Sequence, residues 1–271
     1  MTAEEHVGFV PDDDGRGGVT VMLGDTPQSH VDPADPTHLV FDYVQYFACV
    51  LQTLPPGPLG VTHVGGGGLT LARWVDAERP GSPQIVLEPH TTLTEAVRRE
   101  LPLPRRHRIR VRPLDGRTGV GQLADASADV VVLDAYAAGR VPAELTTSEF
   151  LADVARVLKP SGLLLANLAD EPGMRYVARV AAAARASLPH LALVASVEVL
   201  KGRRFGNTVL VAGRAPLDED ELLRRVRRMP FPAGVRGAAE LARMVQTTRP
   251  FTDADPGMSP PPPPAKGWRV R

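Results

Sequence analysis

The sequence lacks the features that several common classes of protein require. It has one cysteine, Cys49, among 271 residues, which excludes an intrachain disulfide and a cysteine-rich zinc site. Its 31 basic residues balance its 31 acidic ones, so no overall charge would attract nucleic acid or an acidic membrane. No window holds 18 uninterrupted apolar residues, so we expect no membrane-spanning helix.

Familiar catalytic motifs are also missing. The sequence has no Gly-x-Ser-x-Gly elbow and no His-Glu-x-x-His pair, so it gives no support to serine hydrolase or zincin chemistry, and we expect no metal. Its first residues are acidic and lack an apolar h-region, so the sequence predicts no signal peptide. Together with the scarcity of cysteine, this favours a cytoplasmic protein.

Short apolar runs alternate with helical patterns along most of the chain. The apolar runs lie at 60–64, 84–87, 109–113, 130–133 and 163–168. This alternation predicts an α/β protein with a mostly parallel, Rossmann-like sheet covered by helices on both faces. Two later β-patterned runs, 191–200 and 208–212, are separated by a link too short for a crossover helix. The sheet is therefore expected to end in an antiparallel hairpin, which is typical of S-adenosylmethionine-dependent transferases.

The same patterns divide the chain into four predicted segments. Residues 1–36 are expected to form a tail and a small β extension, and residues 37–214 a Rossmann-like domain. Residues 215–249 are expected to be helical. Residues 250–271, which include Ser259 followed by five prolines, are predicted to be a disordered proline-rich tail.

Four glycines follow the first strand of the predicted sheet, within "HVGGGGLTLARW" at residues 63–74. Ligands of open parallel sheets bind outside the carboxyl ends of the strands. Gly65, Gly66 and Gly67 would let the backbone approach such a ligand where a Cβ atom would block it. Thr70 stands where the dinucleotide fingerprint needs its third glycine, and the lysine of a P-loop is absent. Both phosphate-binding motifs are therefore disfavoured.

Acidic residues follow the next three strands. Glu88 ends the second strand, and a carboxylate there accepts hydrogen bonds from both hydroxyls of a ribose. Asp115-Gly116 follows the third strand, where a carboxylate can receive the amine of an adenine. Asp134 ends the fourth strand. Glycines and three acids at successive strand ends together predict a nucleoside-binding site.

At these residues the sequence resembles the spermidine synthases, the polyamine aminopropyltransferase branch of the S-adenosylmethionine-dependent methyltransferase superfamily. The resemblance covers roughly residues 18–214. Besides the strand-end residues, it includes "VPAELTTSEFLADVARVLKPSGLLLANL" and the upstream segment "GDTPQSHVDPADPTHLVFDY". In that upstream segment Gln28 stands at the family's glutamine and Asp42 at its glutamate.

The resemblance implies a role for each matched residue. Decarboxylated S-adenosylmethionine, or its intact form, would lie against the glycine loop and Gln28, with Glu88 at the ribose and Asp115-Gly116 at the adenine. Asp134 would accept a proton from the attacking amine, which reacts only through its neutral lone pair. Asp42 is a candidate for the acceptor side. Tyr136, two residues after Asp134, is expected either to line the acceptor pocket or to cover the sheet.

The chain departs from the family on the acceptor side. The family's loop reads Gly-Gly-Gly-Asp-Gly where this chain has Gly68 and Leu69 at the last two positions, and Ala137 replaces the second acid of its Asp-x-x-Asp loop. A dicationic diamine would therefore be desolvated without carboxylates to compensate it. Three hypotheses stay open: aminopropyl transfer to an amine, methyl transfer to a less cationic acceptor, and a non-catalytic nucleoside-binding protein. The expected partner is a small molecule rather than nucleic acid or a membrane, and a homodimer is left open.

Overall fold

The computed structural model describes residues 6–263. Within this range the chain forms a small N-terminal sheet, a large central sheet, and helices on both faces of the central sheet. The N-terminal sheet contains β1 (Val7–Pro11), β2 (Val19–Leu23) and β3 (Thr26–Val31). The central strands are β4 (Val61–Val64), β5 (Gln84–Leu87), β6 (Ile109–Arg112), β7 (Ala128–Leu133), β8 (Leu158–Asp170), β9 (His190–Ser196), β10 (Gly206–Gly213) and β11 (Ala233–Arg236).

Along the chain the helices alternate with the central strands, and the last helix follows β11. They are α1 (Asp42–Leu51), α2 (Thr70–Glu78), α3 (Thr91–Glu100), α4 (Gly116–Gly121), α5 (Ser148–Val157), α6 (Arg175–Arg185), α7 (Val197–Leu200), α8 (Glu219–Val226) and α9 (Ala238–Val245). A 3-10 turn, Ala143–Leu145, precedes α5. None of the described helices is long and apolar enough to cross a membrane.

The central sheet has the strand order β11-β9-β10-β8-β7-β4-β5-β6. Strands β4 to β8 pair in parallel, whereas β10 pairs antiparallel with both β8 and β9. This arrangement confirms the predicted Rossmann-like α/β fold with an antiparallel ending. In the register, Val64 lies opposite Leu87 on one side and Leu133 on the other. Residues 65, 88 and 134 therefore lie side by side, each just after the carboxyl end of its strand.

Both faces of the central sheet are buried, which explains why its strands are continuous apolar runs. Alternate residues of β7 point to opposite faces. Val131 and Leu133 pack in the cluster that contains α5 and α6, while Val130 and Val132 pack in the cluster that contains α1. The helices thus fix the sheet rigidly beneath the loops at its carboxyl edge.

Two elements differ from their predictions for local reasons. The β-patterned run 191–200 leaves the sheet after Ser196, because the Ser196 hydroxyl accepts a hydrogen bond from the Val199 N–H and begins the short helix α7. Strand β11 was not predicted, and its four residues are half-buried without the alternation of an amphipathic strand. It extends the sheet by pairing antiparallel with β9.

The segment predicted to be a disordered tail is packed against the protein where it is described. Phe251 is 5% exposed and Ser259 is completely buried. These two anchors hold residues 250–263 although the segment is rich in proline, because its polar atoms find partners in the neighbouring loops. The rest of the predicted tail, 264–271, lies outside the described residues.

The N-terminal sheet confirms the predicted β extension and packs on the glycine loop. Val21 and Val31 form one apolar cluster with Leu69 and Val86. Cys49 is buried in α1, and burial raises the pKa of its thiol to about 11. This supports a structural rather than a nucleophilic thiol.

Candidate nucleoside-binding site

The glycine loop lies where the backbone of one strand end comes close to the next. Gly65 has φ +90° and Gly67 has φ +48°, both in the left-handed region that favours glycine. A Cβ atom on Gly65 would clash with the Asp134 carbonyl group, and one on Gly66 would lie 2.8 Å from Val86 Cγ1. These glycines therefore let three strand ends converge.

Glu88 organises this loop. One carboxylate oxygen accepts hydrogen bonds from the backbone N–H groups of Gly66 at 2.9 Å and Gly67 at 3.2 Å. The other oxygen accepts the His90 N–H at 3.0 Å. Glu88 is 6% exposed, so these charge-assisted bonds compensate its burial. The carboxylate thus stands beside the loop at the position predicted for a ribose ligand.

The fourth glycine serves the packing of the N-terminal sheet. A Cβ atom on Gly68 would lie 2.9 Å from Ser29 Cβ and 3.1 Å from side-chain carbons of Val21 and Val31. The Gly68 N–H donates to the Ser29 hydroxyl at 2.7 Å, and the Thr70 hydroxyl donates to the His30 carbonyl at 2.7 Å. No room is left for the acid that the resembled family carries at this position.

Gln28 lies in β3, next to the glycine loop. Its backbone carbonyl oxygen would be 3.6 Å from a Cβ atom on Gly67. Its side-chain amide donates to the Thr26 carbonyl at 3.4 Å within the same strand. The structure thus brings Gln28 to the site through its backbone, with its side chain turned along β3.

Asp115 and Gly116 begin α4 beside the same sheet edge. The Asp115 carboxylate accepts the Thr118 N–H at 2.8 Å and caps the helix. These hydrogen bonds lower the pKa of Asp115 below its usual range. A Cβ atom on Gly116 would clash with Val64, the last residue of β4. This glycine therefore lets the helix start lie close to the glycine loop.

Asp134 is the centre of a polar network at the carboxyl end of β7. Its Oδ1 atom accepts a hydrogen bond from the Asn167 side-chain amide at 2.9 Å, and Tyr43 provides a second hydrogen bond. Burial raises the pKa of Asp134 to about 6, although both hydrogen bonds oppose the shift. The carboxyl group is therefore mostly ionised at pH 7 and close to the pKa that suits proton acceptance.

A second asparagine extends this network. The Asn207 side-chain amide on β10 donates to Asn167 Oδ1 at 2.9 Å. The Tyr136 hydroxyl donates to the Asn167 backbone carbonyl at 3.3 Å, and Tyr136 packs against the core at the same time. The hydroxyl of Tyr136 thus forms its hydrogen bond with the backbone of β8.

Asp42 is the first residue of α1 and the neighbour of Tyr43. Burial of its carboxyl raises the pKa of Asp42, and the nearby Arg204 opposes this shift. Arg204 also donates to the Ser196 hydroxyl at 3.3 Å. The Asp42 carboxyl therefore shares its surroundings with a cation.

A pocket opens between the glycine loop, α1 and Asp134. Apolar and aromatic side chains line most of it, including Phe41, Tyr43 and Leu69. His63 also lines it, and burial lowers the pKa of His63 to about 4, so this imidazole is neutral at pH 7. Asp134 is then the one lining residue that carries charge at neutral pH. In residues 6–263 no group of three or more His, Cys, Asp or Glu residues could hold a metal ion.

The sequence patterns did not identify four polar residues of the site. These are Ser29, Tyr43, Asn167 and Asn207. Asn167 had a visible signal, because it is the one polar residue in the buried run "LLLANLA". A polar side chain in such a run needs a partner. The other three lie in segments where polar residues are common.

Known proteins are similar to this chain in sequence and in fold. A polyamine aminopropyltransferase of Chromobacterium violaceum is 26% identical over 144 residues, which is 53% of this chain and 54% of that protein. A probable spermidine synthase from Corynebacterium glutamicum matches with a TM-score of 0.86 and 26% identity over 93% of this chain and 94% of the other. The chain resembles these two proteins, one named a polyamine aminopropyltransferase and one a probable spermidine synthase, in sequence and in fold respectively.

A more distantly related structure has a similar fold. It is a spermidine synthase in complex with the transition-state analogue AdoDATO, with a TM-score of 0.56 and 14% identity over 94% of this chain and 80% of the other. No family model matches the chain. The chain spans about half the length of the curated relatives that it matches.

Proposed function

We propose that this protein binds an S-adenosyl compound at the carboxyl edge of its central sheet and transfers a group from it to a small-molecule acceptor. The observation that carries the proposal is the convergence of Gly65–Gly67, Glu88 and Asp134 at one edge. A similar fold binds AdoDATO in the spermidine synthase described above. Glu88 would accept the ribose hydroxyls, and Asp115 would accept the adenine amine.

Aminopropyl transfer is the first candidate reaction. A neutral amine would attack the carbon next to the sulfonium of decarboxylated S-adenosylmethionine, forming an N–C bond while the C–S bond breaks and methylthioadenosine leaves. Before this attack Asp134, whose pKa of about 6 leaves it ionised at pH 7, would accept a proton from the amine and free its lone pair. Asn167 and Tyr43 would hold the carboxylate in place for this step.

Methyl transfer is a second candidate, and the packing of Gly68 favours it. The acid that spermidine synthases place at this position has no space here. The pocket has one charged lining residue among aromatic and apolar ones. A single carboxylate would compensate one positive charge on the acceptor better than two. Intact S-adenosylmethionine would then be the donor.

Calorimetric titration separates these candidates. The ligands are S-adenosylmethionine, its decarboxylated form, methylthioadenosine and S-adenosylhomocysteine. Tighter binding of the decarboxylated compound and methylthioadenosine supports aminopropyl transfer, and tighter binding of the carboxylated pair supports methyl transfer. Failure of all four to bind contradicts the proposal.

A Glu88→Gln variant tests the assigned ribose position. We expect it to weaken binding roughly 10- to 100-fold, because a hydrogen bond to a charged group contributes about 1.5–3 kcal/mol. Glu100→Gln is the matched control, since Glu100 is an exposed residue at the end of α3. Unchanged affinity in Glu88→Gln would place the ligand elsewhere.

A further inference from the structure

The segment 250–263, which we name the C-terminal strap, crosses the loops at the edge of the site. Its first anchor is Phe251, whose ring packs 5.5 Å from the Tyr176 ring and lies under the Arg179 guanidinium at 3.9 Å. The Phe251 carbonyl accepts the Ser148 N–H at 2.9 Å. This anchor fixes the strap to α5 and α6.

Asp253 connects the strap to the adenine side of the site. Its Oδ1 atom accepts hydrogen bonds from Arg117 at 2.9 Å and from the Thr147 hydroxyl at 2.7 Å. Its own N–H donates to the Glu149 carboxylate at 2.9 Å. Arg117 directly follows Gly116, so Asp253 holds the start of α4, where Asp115 lies.

Ser259 connects the strap to the acceptor side. It is completely buried, and its hydroxyl accepts the Val141 N–H at 2.9 Å while its carbonyl accepts Arg140 Nε at 2.5 Å. Arg140 closes a tight turn with Ala137 through two backbone hydrogen bonds. Pro262 packs at Gly139 in the same turn. This turn begins three residues after Asp134.

We propose that Asp253 and Ser259 are positioning residues, through which the C-terminal strap holds the start of α4 and the loop 135–142 in the arrangement that binds ligand. The inference rests on the proposed function. Both loops directly follow parallel strands, at the end of the sheet where ligands of open parallel sheets bind. The strap is a single segment that contacts both of them, so it fixes their separation.

A buried and an exposed anchor are expected to contribute differently. Replacing Ser259 by Ala leaves the buried Val141 N–H without its acceptor, which costs far more than losing a contact that water can replace. Arg117 and Asp253 are partly exposed, so water weakens their contribution. Ser259 is therefore expected to be the stronger of the two positions.

Ser259→Ala, measured by hydrogen exchange of the free protein, tests the acceptor side. We expect the Val141 amide and its neighbours in loop 135–142 to exchange at least 10-fold faster. We also expect affinity for the best adenosyl ligand to fall about 3- to 10-fold after correction for any change in global stability. Ser127→Ala is the control, because it removes a serine hydrogen bond at the opposite end of β7. An unchanged exchange rate in loop 135–142 overturns the inference.

Asp253→Asn tests the adenine side. We expect a roughly 2- to 5-fold loss of affinity without faster exchange in loop 135–142. The matched control is Asp255→Asn. Asp255 also lies in the strap, but it forms its ion pair with Arg179 of α6 and contacts neither loop. Equal losses in both variants would mean that the strap acts only through general stability, which overturns the inference.

The outcomes distinguish this inference from the proposed function. If the unmodified protein binds none of the four adenosyl compounds, the proposed function fails and with it the ligand part of the inference. If it binds them and Ser259→Ala changes exchange but not affinity, the positioning role fails while the proposed function stands.

Discussion

Replacing Asp134 by Asn should stabilise the protein at neutral and alkaline pH. The folded protein raises the pKa of this carboxyl from 3.8 to about 6 through burial, so the folded state binds the proton more tightly than the unfolded state. The contribution of Asp134 to stability is therefore greatest below pH 4 and is lost as the pH rises through 6. Asn has the same shape and carries no charge, so it removes this loss.

The magnitude follows from the two pKa values. About two pH units separate them, and each is worth ~1.4 kcal/mol, which gives an upper bound of about 3 kcal/mol at pH 8. The Asn167 amide can still donate to the new side-chain oxygen, so the packing of the network is kept. The gain should shrink towards zero as the pH falls to 4.

Urea unfolding at pH 4.5, 6 and 8 measures this effect. Asp25→Asn serves as the control, because Asp25 is an exposed turn residue between β2 and β3. A gain that is constant across pH, or a loss at pH 8, would refute the reasoning that burial destabilises the Asp134 anion. If the proposed function holds, the stabilised variant should also lose turnover, since Asn cannot accept the proton.

Further predictions concern the loop and the network. Gly68→Asp should not create an acceptor site but should destabilise the protein by about 1–3 kcal/mol, because the side chain would collide with Ser29; thermal unfolding and ligand titration would measure this. Leu69 has φ 64° although it is buried, so Leu69→Gly should be more stable than Leu69→Ala by about 1 kcal/mol in urea unfolding, and the reverse order would contradict the argument from strain. Asn167→Ala should raise the pKa of Asp134 further, by roughly one pH unit, in a carbon-13 NMR titration, because a hydrogen bond to the ionised form is lost.

The central fold could be predicted because strands that are buried on both faces appear in the sequence as continuous apolar runs. Strand β5 begins and ends at the residues that its apolar run indicates. Such runs, separated by amphipathic helices, admit few arrangements other than a covered parallel sheet. The antiparallel ending followed from the length of one link, which no crossover helix fits.

The strap was not predictable, because its packing depends on two anchors rather than on a periodic pattern. Phe251 and Ser259 lie eight positions apart among prolines and polar residues, a composition that usually indicates disorder. Ser259 is held by the backbone of a loop more than a hundred positions away in the chain. Local patterns carry no information about such a partner.

For the candidate site, the sequence could predict where a residue lies only when its position along the fold determines this. Glu88 and Asp134 stand at strand ends, and strand ends meet at one edge whatever the neighbouring residues are. Tyr43 reaches Asp134 from α1, and Asn207 supports Asn167 from β10. These contacts depend on how α1 and the antiparallel strand β10 pack relative to the parallel strands. The spacing of residues along the sequence does not specify this packing.

The buried Cys49 makes the chain suitable for site-specific labelling without removal of a native cysteine. Its thiolate is scarce at neutral pH because the pKa is about 11, and its burial in α1 keeps reagents away. A cysteine introduced at the exposed Met258, next to Ser259, would therefore react first. The alkylation rate of Cys49 would then measure opening of the core, and the rate at position 258 would measure local opening of the strap. A single reagent would thus follow both events in the same molecule.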